Sequence, residues 1–481
     1  MIVSGVFNSC DKLSSKALCK FCVSSFILAS REIFNNRSFS NITVISAIKD
    51  SNNVLWAKSR GFSSKRLITS TALTCPEDIN GKYINGKKGS WNLEVNGKPF
   101  YIKGVGVGKQ AGIGGADYLK MAQELGANAV RTWGTDQGTQ EYFDTALKYG
   151  LMVDAGIWIN YAKKGTEYSY IGDNEYKKNK TQEITDYVNK FKSHPALLMW
   201  NIGNEALFFT KDEEERIALA KFLEEMVQMV HKMDPSHPVI YTSADAAALP
   251  YIQQYVPSLD IFGMNIYGSV RVSHTKWDKS GLDIPYCVTE YGPHGPWDVK
   301  KDQNGASLEE SDPAKAAIYR NMTHDIMGFK GYNLGGFAFH LGETSQESLT
   351  WWNINQKLLK KDSYWELYKV YTGSRPGNLP PRVVELKLSK TKNIAPGESI
   401  DITAEAADVD SNPLDYSFVV STAQEGILQY YVNDEVPVKF ENVGARFRMT
   451  APGAKGLYRL YLIVNDGNGN TATANRSFKV E

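Results

Sequence analysis

Short apolar runs alternate with amphipathic stretches between about residue 100 and residue 371 of this 481-residue chain. The apolar runs are nearly continuous, as in strands of a parallel sheet that is covered on both faces. Several of the stretches between them repeat apolar residues at helical spacing. Strands are predicted at residues 105–108, 128–133, 151–159, 196–202, 239–242, 261–267, 285–289 and 335–340. Helices are predicted at residues 116–125, 140–149, 184–191, 212–233, 314–329 and 363–371.

This alternation predicts an α/β fold, a (β/α)8 TIM barrel, because eight strand–helix repeats within about 270 residues match its size and period. A doubly wound sheet is the alternative, and it usually carries a glycine-rich phosphate loop. The nearest candidate loop, residues 104–108, is followed by neither a helix start nor a suitably placed acid. The pattern therefore disfavours dinucleotide binding, and no cofactor is expected.

The segments on either side of the barrel have strand patterns. Residues 82–104 predict a β-hairpin, because Asn96-Gly97 is a type I′ turn signal. A proline-rich linker, residues 374–381, leads into a small all-β sandwich domain, in which turn residues separate strands at regular spacing. The sandwich strands are predicted at residues 383–388, 399–407, 415–421, 446–450, 456–465 and 471–480. The predicted domains are therefore 1–78, 79–373, the linker 374–381 and 382–481.

Residues 1–78 are serine-rich and basic, with few acids. The apolar run 21–29 follows basic residues, as in a secretory signal, and the whole stretch equally fits an organellar transit peptide. The run is too short and interrupted to span a bilayer, so no membrane insertion is expected. Secretion is the predicted localisation, with an organelle as the alternative.

Charge and cysteine content exclude several function classes. A net charge of +1 gives no reason to expect nucleic acid as a partner. Four of the five cysteines lie in the first 75 residues, so no disulfide framework or metal-ligand spacing is visible in the main domains. Cys287, in an apolar run, is predicted to be a buried hydrophobic residue. Oligomeric state is left open.

Two glutamates stand at the ends of apolar runs. Glu205 follows residues 200–204, and Glu290 follows residues 285–289. A carboxylate in this position is costly unless it is paired or used. The strands of a barrel point their C-terminal ends to one rim, where the active site lies, and strands four and seven stand roughly across its mouth. The two carboxyl groups are therefore expected to flank one substrate atom, as cleavage of a glycosidic bond requires.

Several motifs resemble those of the clan A retaining glycoside hydrolases. They are Asn204-Glu205 on strand four, Thr289-Glu290-Tyr291-Gly292 on strand seven and Asn128-Ala129-Val130-Arg131-Thr132 on strand two. The approach at residues 96–105 is similar to the entry into the catalytic barrel of glycoside hydrolase family 2. The resemblance runs from about residue 91 to residue 371. The C-terminal segment is similar to immunoglobulin-like and polycystic-kidney-disease-type repeats, which implies an accessory module.

The resemblance implies a role for each of five residues. Glu205 would be the general acid/base and Glu290 the nucleophile. Asn204 would bind the 2-hydroxyl of the sugar, and Arg131 would hold the nucleophile ionised. Tyr267 would donate a hydrogen bond to the nucleophile. No metal ligand is implied.

Further rim residues are candidates for contacts with sugars. Trp133 and Trp158 follow strands two and three, where their rings either stack on sugars or pack the barrel. His294 and Trp297 follow the nucleophile strand closely enough to line a subsite. Strand eight ends in residues 337–340 without the tryptophan that the clan often places there, and His340, Trp351 and Trp352 are alternative substitutes.

These motifs predict a retaining β-glycosidase that acts on a β-linked carbohydrate by double displacement through a covalent glycosyl-enzyme. One alternative is a transglycosidase, in which a sugar hydroxyl intercepts the same intermediate. The other is a non-catalytic carbohydrate-binding protein on a barrel scaffold. The sequence leaves the sugar, the linkage and exo or endo action open.

Overall fold

A computed structural model describes residues 46–49, 55–58, 81–112, 117–163, 166–172, 174–344, 346–423, 433–443 and 446–481. The chain divides into two compact units, Met1–Leu73 and Thr74–Glu481. In the first unit, strands β1 (Ser46–Lys49) and β2 (Leu55–Lys58) pair antiparallel. The rest of the predicted targeting segment lies outside the described residues. All further features belong to the second unit.

A three-stranded antiparallel sheet precedes the barrel, formed by β3 (Lys82–Asn85), β4 (Asn92–Val95) and β5 (Lys98–Phe100). The turn between β4 and β5 consists of Asn96 and Gly97, whose φ angles are 53° and 70°. Two successive positive φ angles define the type I′ turn, which asparagine and glycine adopt at low cost. The predicted hairpin is confirmed.

Eight parallel strands close into a barrel, so the predicted fold class is confirmed. The first and last of these strands, β6 and β13, hydrogen-bond to each other and complete the ring. The strands are β6 (Ile102–Gly106), β7 (Ala129–Arg131), β8 (Met152–Ile157), β9 (Leu197–Asn204), β10 (Val239–Ala244), β11 (Ile261–Ile266), β12 (Tyr286–Tyr291) and β13 (Asn333–Ala338). Every residue of β9 and β12 is buried, as the continuous apolar runs predicted. Cys287, on β12, is fully buried.

Helices connect the strands. They are α1 (Tyr118–Glu124), α2 (Gln140–Lys148), α3 (Glu175–Phe191), α4 (Ala206–Phe209), α5 (Glu213–Met233), α6 (Leu249–Tyr255), α7 (Val270–Ser280), α8 (Asp312–Gly328) and α9 (Asp362–Thr372). Helix α3 begins nine residues before its predicted start, where the Asn174 side chain caps it. The prediction missed this start because the first turns of the helix are polar. Helices α4, α6 and α7 were not predicted. Among the described residues, no helix combines the length and apolar character needed to cross a bilayer.

Strands make up the C-terminal part of the chain. A small ladder, β14 (Asn355–Gln356) and β15 (Leu359–Lys360), precedes α9. Two four-stranded antiparallel sheets follow, in the orders β16-β17-β21-β20 and β19-β18-β22-β23. Their strands are β16 (Arg382–Leu388), β17 (Ser399–Ala407), β18 (Asp415–Thr422), β19 (Glu435–Val436), β20 (Phe440–Val443), β21 (Arg446–Thr450), β22 (Gly456–Asn465) and β23 (Thr471–Val480). One apolar cluster joins both sheets, so they form a sandwich. Of the described sandwich strands, the short β19 and β20 were not predicted, and neither was the β14–β15 ladder.

A buried carboxylate ties the sandwich to two loops of the barrel. Glu309, just before α8, forms an ion pair with Lys315. Its oxygens also accept hydrogen bonds from Ser348 and Thr350, in the loop after β13, and from Asn475 on β23, each at 2.7 Å. Burial alone would raise the pKa of Glu309, but the Lys315 ammonium overrides it and holds the pKa at about 2. The carboxylate therefore stays ionised at the junction.

Replacing Glu309 with glutamine should leave the Lys315 charge buried without its partner. We expect a loss of about 3–5 kcal/mol in the free energy of unfolding at neutral pH. Because folding lowers this pKa, the difference from wild type should vanish as the pH falls from about 4.3 towards 2. Urea unfolding of both proteins at several pH values measures this difference in the free energy of unfolding. Glu441→Gln, which removes an exposed ion pair with Lys439, is the control. Equal midpoints for Glu309→Gln and Glu441→Gln at pH 7 would contradict the assignment.

Candidate active site

A cavity of about 1520 Å³ opens at the C-terminal ends of the barrel strands. Its walls include Trp158 after β8, Glu205 after β9, Asp245 after β10, Tyr267 after β11 and Glu290 on β12. Both glutamates singled out from the sequence line this one cavity. The position agrees with the rule that barrel active sites occupy this face.

Glu290 receives hydrogen bonds from three donors. The Arg131 guanidinium and the Trp133 indole each lie 2.7 Å from Oε1. The Tyr267 hydroxyl donates to Oε2 at 2.6 Å. Burial and the charge of Glu290 raise the pKa of Tyr267 well above its ordinary value, so this hydroxyl keeps its proton. All three groups are donors, and they match an ionised carboxylate, which only accepts.

Glu205 has a different environment. It has a φ of 56°, and its backbone N–H donates to the Thr242 carbonyl at 2.8 Å. The Asn265 amide donates to its Oε1 at 2.7 Å. Burial, reinforced by the negative charge of Glu290, raises the pKa of Glu205 to about 7, against the opposing effects of Asn265 and Arg131. A substantial fraction of Glu205 is therefore protonated near neutral pH.

Arg131 links the residues that surround the two carboxyl groups. Its side chain is about 1% exposed. Besides Glu290, the guanidinium donates to Asn204 Oδ1 at 2.8 Å and to the Thr289 carbonyl at 3.0 Å. Asn204 Oδ1 also accepts from Asn265 at 3.2 Å. A chain of hydrogen bonds thus runs from one glutamate to the other.

Two polar residues of this network were not among the predicted site residues. Asp154, on β8, lies 3.6 Å from Arg131 Nε and accepts a hydrogen bond from Asn201 at 2.9 Å. Burial raises the pKa of Asp154 to about 7, despite the Arg131 charge. Asn265, on β11, contacts both Glu205 and Asn204. Each is a polar residue within an apolar strand, which is the signal that could have identified it.

The aromatic candidates differ in whether they line the cavity and in what they contact. Trp133 lines the cavity and bonds to Glu290, a role that neither sugar stacking nor barrel packing describes. Trp158 lines the cavity, and its indole N–H donates a hydrogen bond to Asn160 Oδ1 at 2.8 Å. Trp297 also lines the cavity and is 46% exposed. His294 is not among the residues that line the cavity, and its ring lies 2.9 Å from Glu310, so its place in a subsite stays a prediction.

The three residues considered as substitutes for the missing strand-eight tryptophan also differ in position. Trp352 and His340 line the cavity, whereas Trp351 is buried and donates to the His294 carbonyl. Burial lowers the pKa of His340 to about 4, so its ring is neutral. No group of three or more His, Cys, Asp or Glu side chains in the described part of the chain could hold a metal ion.

Residues 88–295 match the family model described as "Glycosyl hydrolases family 2, TIM barrel domain". The matched range extends from β4 to β12 and therefore includes seven of the eight barrel strands. The matched range contains Arg131, Glu205 and Glu290, which carry the geometry described above.

Curated relatives share this region. The β-glucuronidase of Sus scrofa is 26% identical over 220 residues, covering 41% of this chain and 31% of that protein. The β-galactosidase of Thermoanaerobacterium thermosulfurigenes is 24% identical over 225 residues, covering 45% of this chain and 27% of that protein. The solved Bacteroides uniformis β-glucuronidase superposes with a TM-score of 0.48 and 14% identity, covering 83% of this chain and 48% of that one. The match spans less than a third of the length of each of these two curated relatives.

Replacing Glu290 with glutamine should lower the pKa of Glu205, because a nearby negative charge is removed. The pKa should stay above the ordinary 4.5, since burial is its largest cause. Carbon-13 NMR titration of labelled glutamate carboxyl groups measures the change. Glu343→Gln, at another glutamate lining the cavity, is the control. An unchanged Glu205 pKa in Glu290→Gln would refute the electrostatic coupling.

Proposed function

We propose that this protein is a retaining β-glycosidase in which Glu290 is the nucleophile and Glu205 the general acid/base. The observation that carries the proposal is the contrast between the two carboxyl groups. Glu290 is surrounded by donors that match its ionised form, whereas burial favours the protonated form of Glu205. Two carboxyl groups in opposite protonation states are what double displacement needs.

In the first step, a Glu290 oxygen attacks the anomeric carbon. The bond from that carbon to the leaving oxygen breaks, its electron pair goes to the leaving oxygen, and Glu205 supplies the proton. Forming the ester removes the negative charge of Glu290. Because this charge contributes to the raised pKa of Glu205, the loss of it lets Glu205 remain ionised as a base.

In the second step, ionised Glu205 takes a proton from water as the water oxygen attacks the anomeric carbon. The ester bond breaks, and its electron pair returns to Glu290. Arg131, Trp133 and Tyr267 then again donate to a carboxylate. Their positions make Glu290 a better leaving group, because they stabilise the charge that develops on it.

The neighbours of the two glutamates support the same assignment. Asn204 has its Oδ1 occupied by Arg131 and Asn265, which orients its amide. We assign Asn204 to the binding of a sugar hydroxyl, because it lies one residue before the acid/base. The names of the relatives, β-glucuronidase and β-galactosidase, support a carbohydrate substrate. The family 2 barrel supports the reaction class.

Replacing Glu205 with alanine should affect substrates according to their leaving group. An acidic phenol needs no protonation, so its release in the first step should be largely spared, whereas a poor leaving group should lose about 100-fold to 10,000-fold in rate. The wild-type kcat/KM for unactivated substrates should decline above about pH 7, as Glu205 loses its proton, and Glu205→Ala should lose this limb. Pre-steady-state release of phenols from a series of aryl β-glycosides measures both.

Equal loss on activated and unactivated aglycones would reject Glu205 as the acid. If wild-type protein released no phenol from any β-glycoside and neither cut nor extended any glycan, the carbohydrate-binding alternative would replace the enzyme assignment.

A further inference from the structure

Aromatic side chains are exposed inside the cavity. Tyr161, Phe208 and Trp297 are 42%, 41% and 46% exposed, and all three line its walls. Large apolar side chains are normally buried, so rings exposed within a cleft indicate a ligand surface. The flat face of a ring can cover the apolar C–H face of a sugar, while hydroxyl groups at its edge remain hydrated.

These rings form two groups on opposite sides of the barrel mouth. The Phe208 group consists of Tyr161, Phe208 and Phe209, with ring centroids 5.2–5.9 Å apart along the cluster. It follows β8 and β9, the third and fourth barrel strands. The Trp297 group consists of Trp297, Trp352 and Tyr267, with centroids 4.7–6.3 Å apart.

Two members of the Trp297 group, Trp297 and Trp352, follow β12 and β13, the seventh and eighth barrel strands. In a closed ring of eight strands, the third and fourth lie opposite the seventh and eighth. Glu205 precedes the Phe208 group by three residues, and Tyr267 of the Trp297 group touches Glu290. A chain that contacts both groups therefore crosses the two glutamates.

Acidic side chains outnumber basic ones among the described residues that line the cavity. Of the described lining residues, five carry carboxyl groups and two are lysines. The carboxyl groups belong to Glu205, Asp245, Glu290, Glu343 and Glu347, and the lysines are Lys109 and Lys276. Lys276 forms an ion pair with Asp245 at 2.5 Å. His340 is neutral, and Arg131 is engaged beneath Glu290.

We propose that the cleft binds an uncharged β-linked oligosaccharide, which stacks on the Phe208 group at one end and on the Trp297 group at the other, and that it rejects uronides. This inference rests on the proposed function. A uronate carboxylate entering this cleft would meet like charge, which costs affinity unless a cation pairs with it. The substrate class therefore differs from the one in the names of the β-glucuronidase relatives.

Two aryl glycosides test the charge preference directly. The 4-nitrophenyl β-glucoside and β-glucuronide differ only at C6, where one has a hydroxymethyl group and the other a carboxylate. With 4-nitrophenyl β-galactoside and β-mannoside as further neutral substrates, we expect kcat/KM for the glucuronide to be at least about 100-fold below the best neutral value. A glucuronide that outperforms every neutral glycoside overturns the inference and leaves the proposed function standing.

Chain length tests the two stacking groups. With β-linked oligosaccharides of the accepted sugar, from two to six units, kcat/KM should rise with length. Phe208→Ala and Trp297→Ala should each lower it about threefold to tenfold on the longest substrate, and by less on the aryl glycoside. Leu308→Ala is the matched control, since Leu308 is 49% exposed, lies on the same connection as Trp297 and does not line the cavity. Circular dichroism verifies folding of each variant.

The outcomes separate the two levels of the proposal. Neutral preference with a length dependence that both ring variants weaken supports it. A neutral preference without length dependence overturns the stacking assignment. If no glycoside of either kind is cleaved and a 2-fluoro glycoside fails to label Glu290, the proposed function falls together with this inference.

Discussion

The buried guanidinium of Arg131 is the interaction on which the rest of the site depends. It sits on β7 and contacts Asp154 on β8, Asn204 on β9 and Glu290 on β12, with Thr242 on β10 at 3.4 Å. Arginine cannot discharge itself by losing a proton, so a buried one needs partners. These partners lie on several barrel strands, which come together around Arg131 only when the sheet closes in the complete fold. The geometry of the nucleophile and the closure of the sheet are therefore coupled.

Two residues of the same type acquire opposite properties from this arrangement. Glu290 meets three donors, whereas Glu205 meets one amide and is otherwise affected mainly by burial. The sandwich supports the cleft from a distance. Glu309 connects β23 of the sandwich to the two barrel connections that carry Trp297 and Trp352. The wall opposite the Phe208 group is therefore held by both domains, and the C-terminal module is part of the cleft's support.

Much of this was accessible from the sequence, for physical reasons. Continuous apolar runs revealed the barrel strands, and Asn96-Gly97 revealed the hairpin turn. The start of α3 was missed because a capped polar turn has no apolar periodicity. Trp133 and His294 could not be placed, since their directions depend on how the chain leaves a strand. The domain boundaries, the secretion of the chain and the immunoglobulin-like nature of the sandwich stay predictions.

The configuration of the first product tests the central claim most directly, namely that Glu290 attacks while Glu205 donates its proton. Proton NMR can follow the anomeric signal during early cleavage of a β-glycoside, before mutarotation. The account predicts that the β-anomer of the released sugar appears first and then equilibrates. An α-anomer appearing first would show direct attack by water and would contradict a covalent role for Glu290.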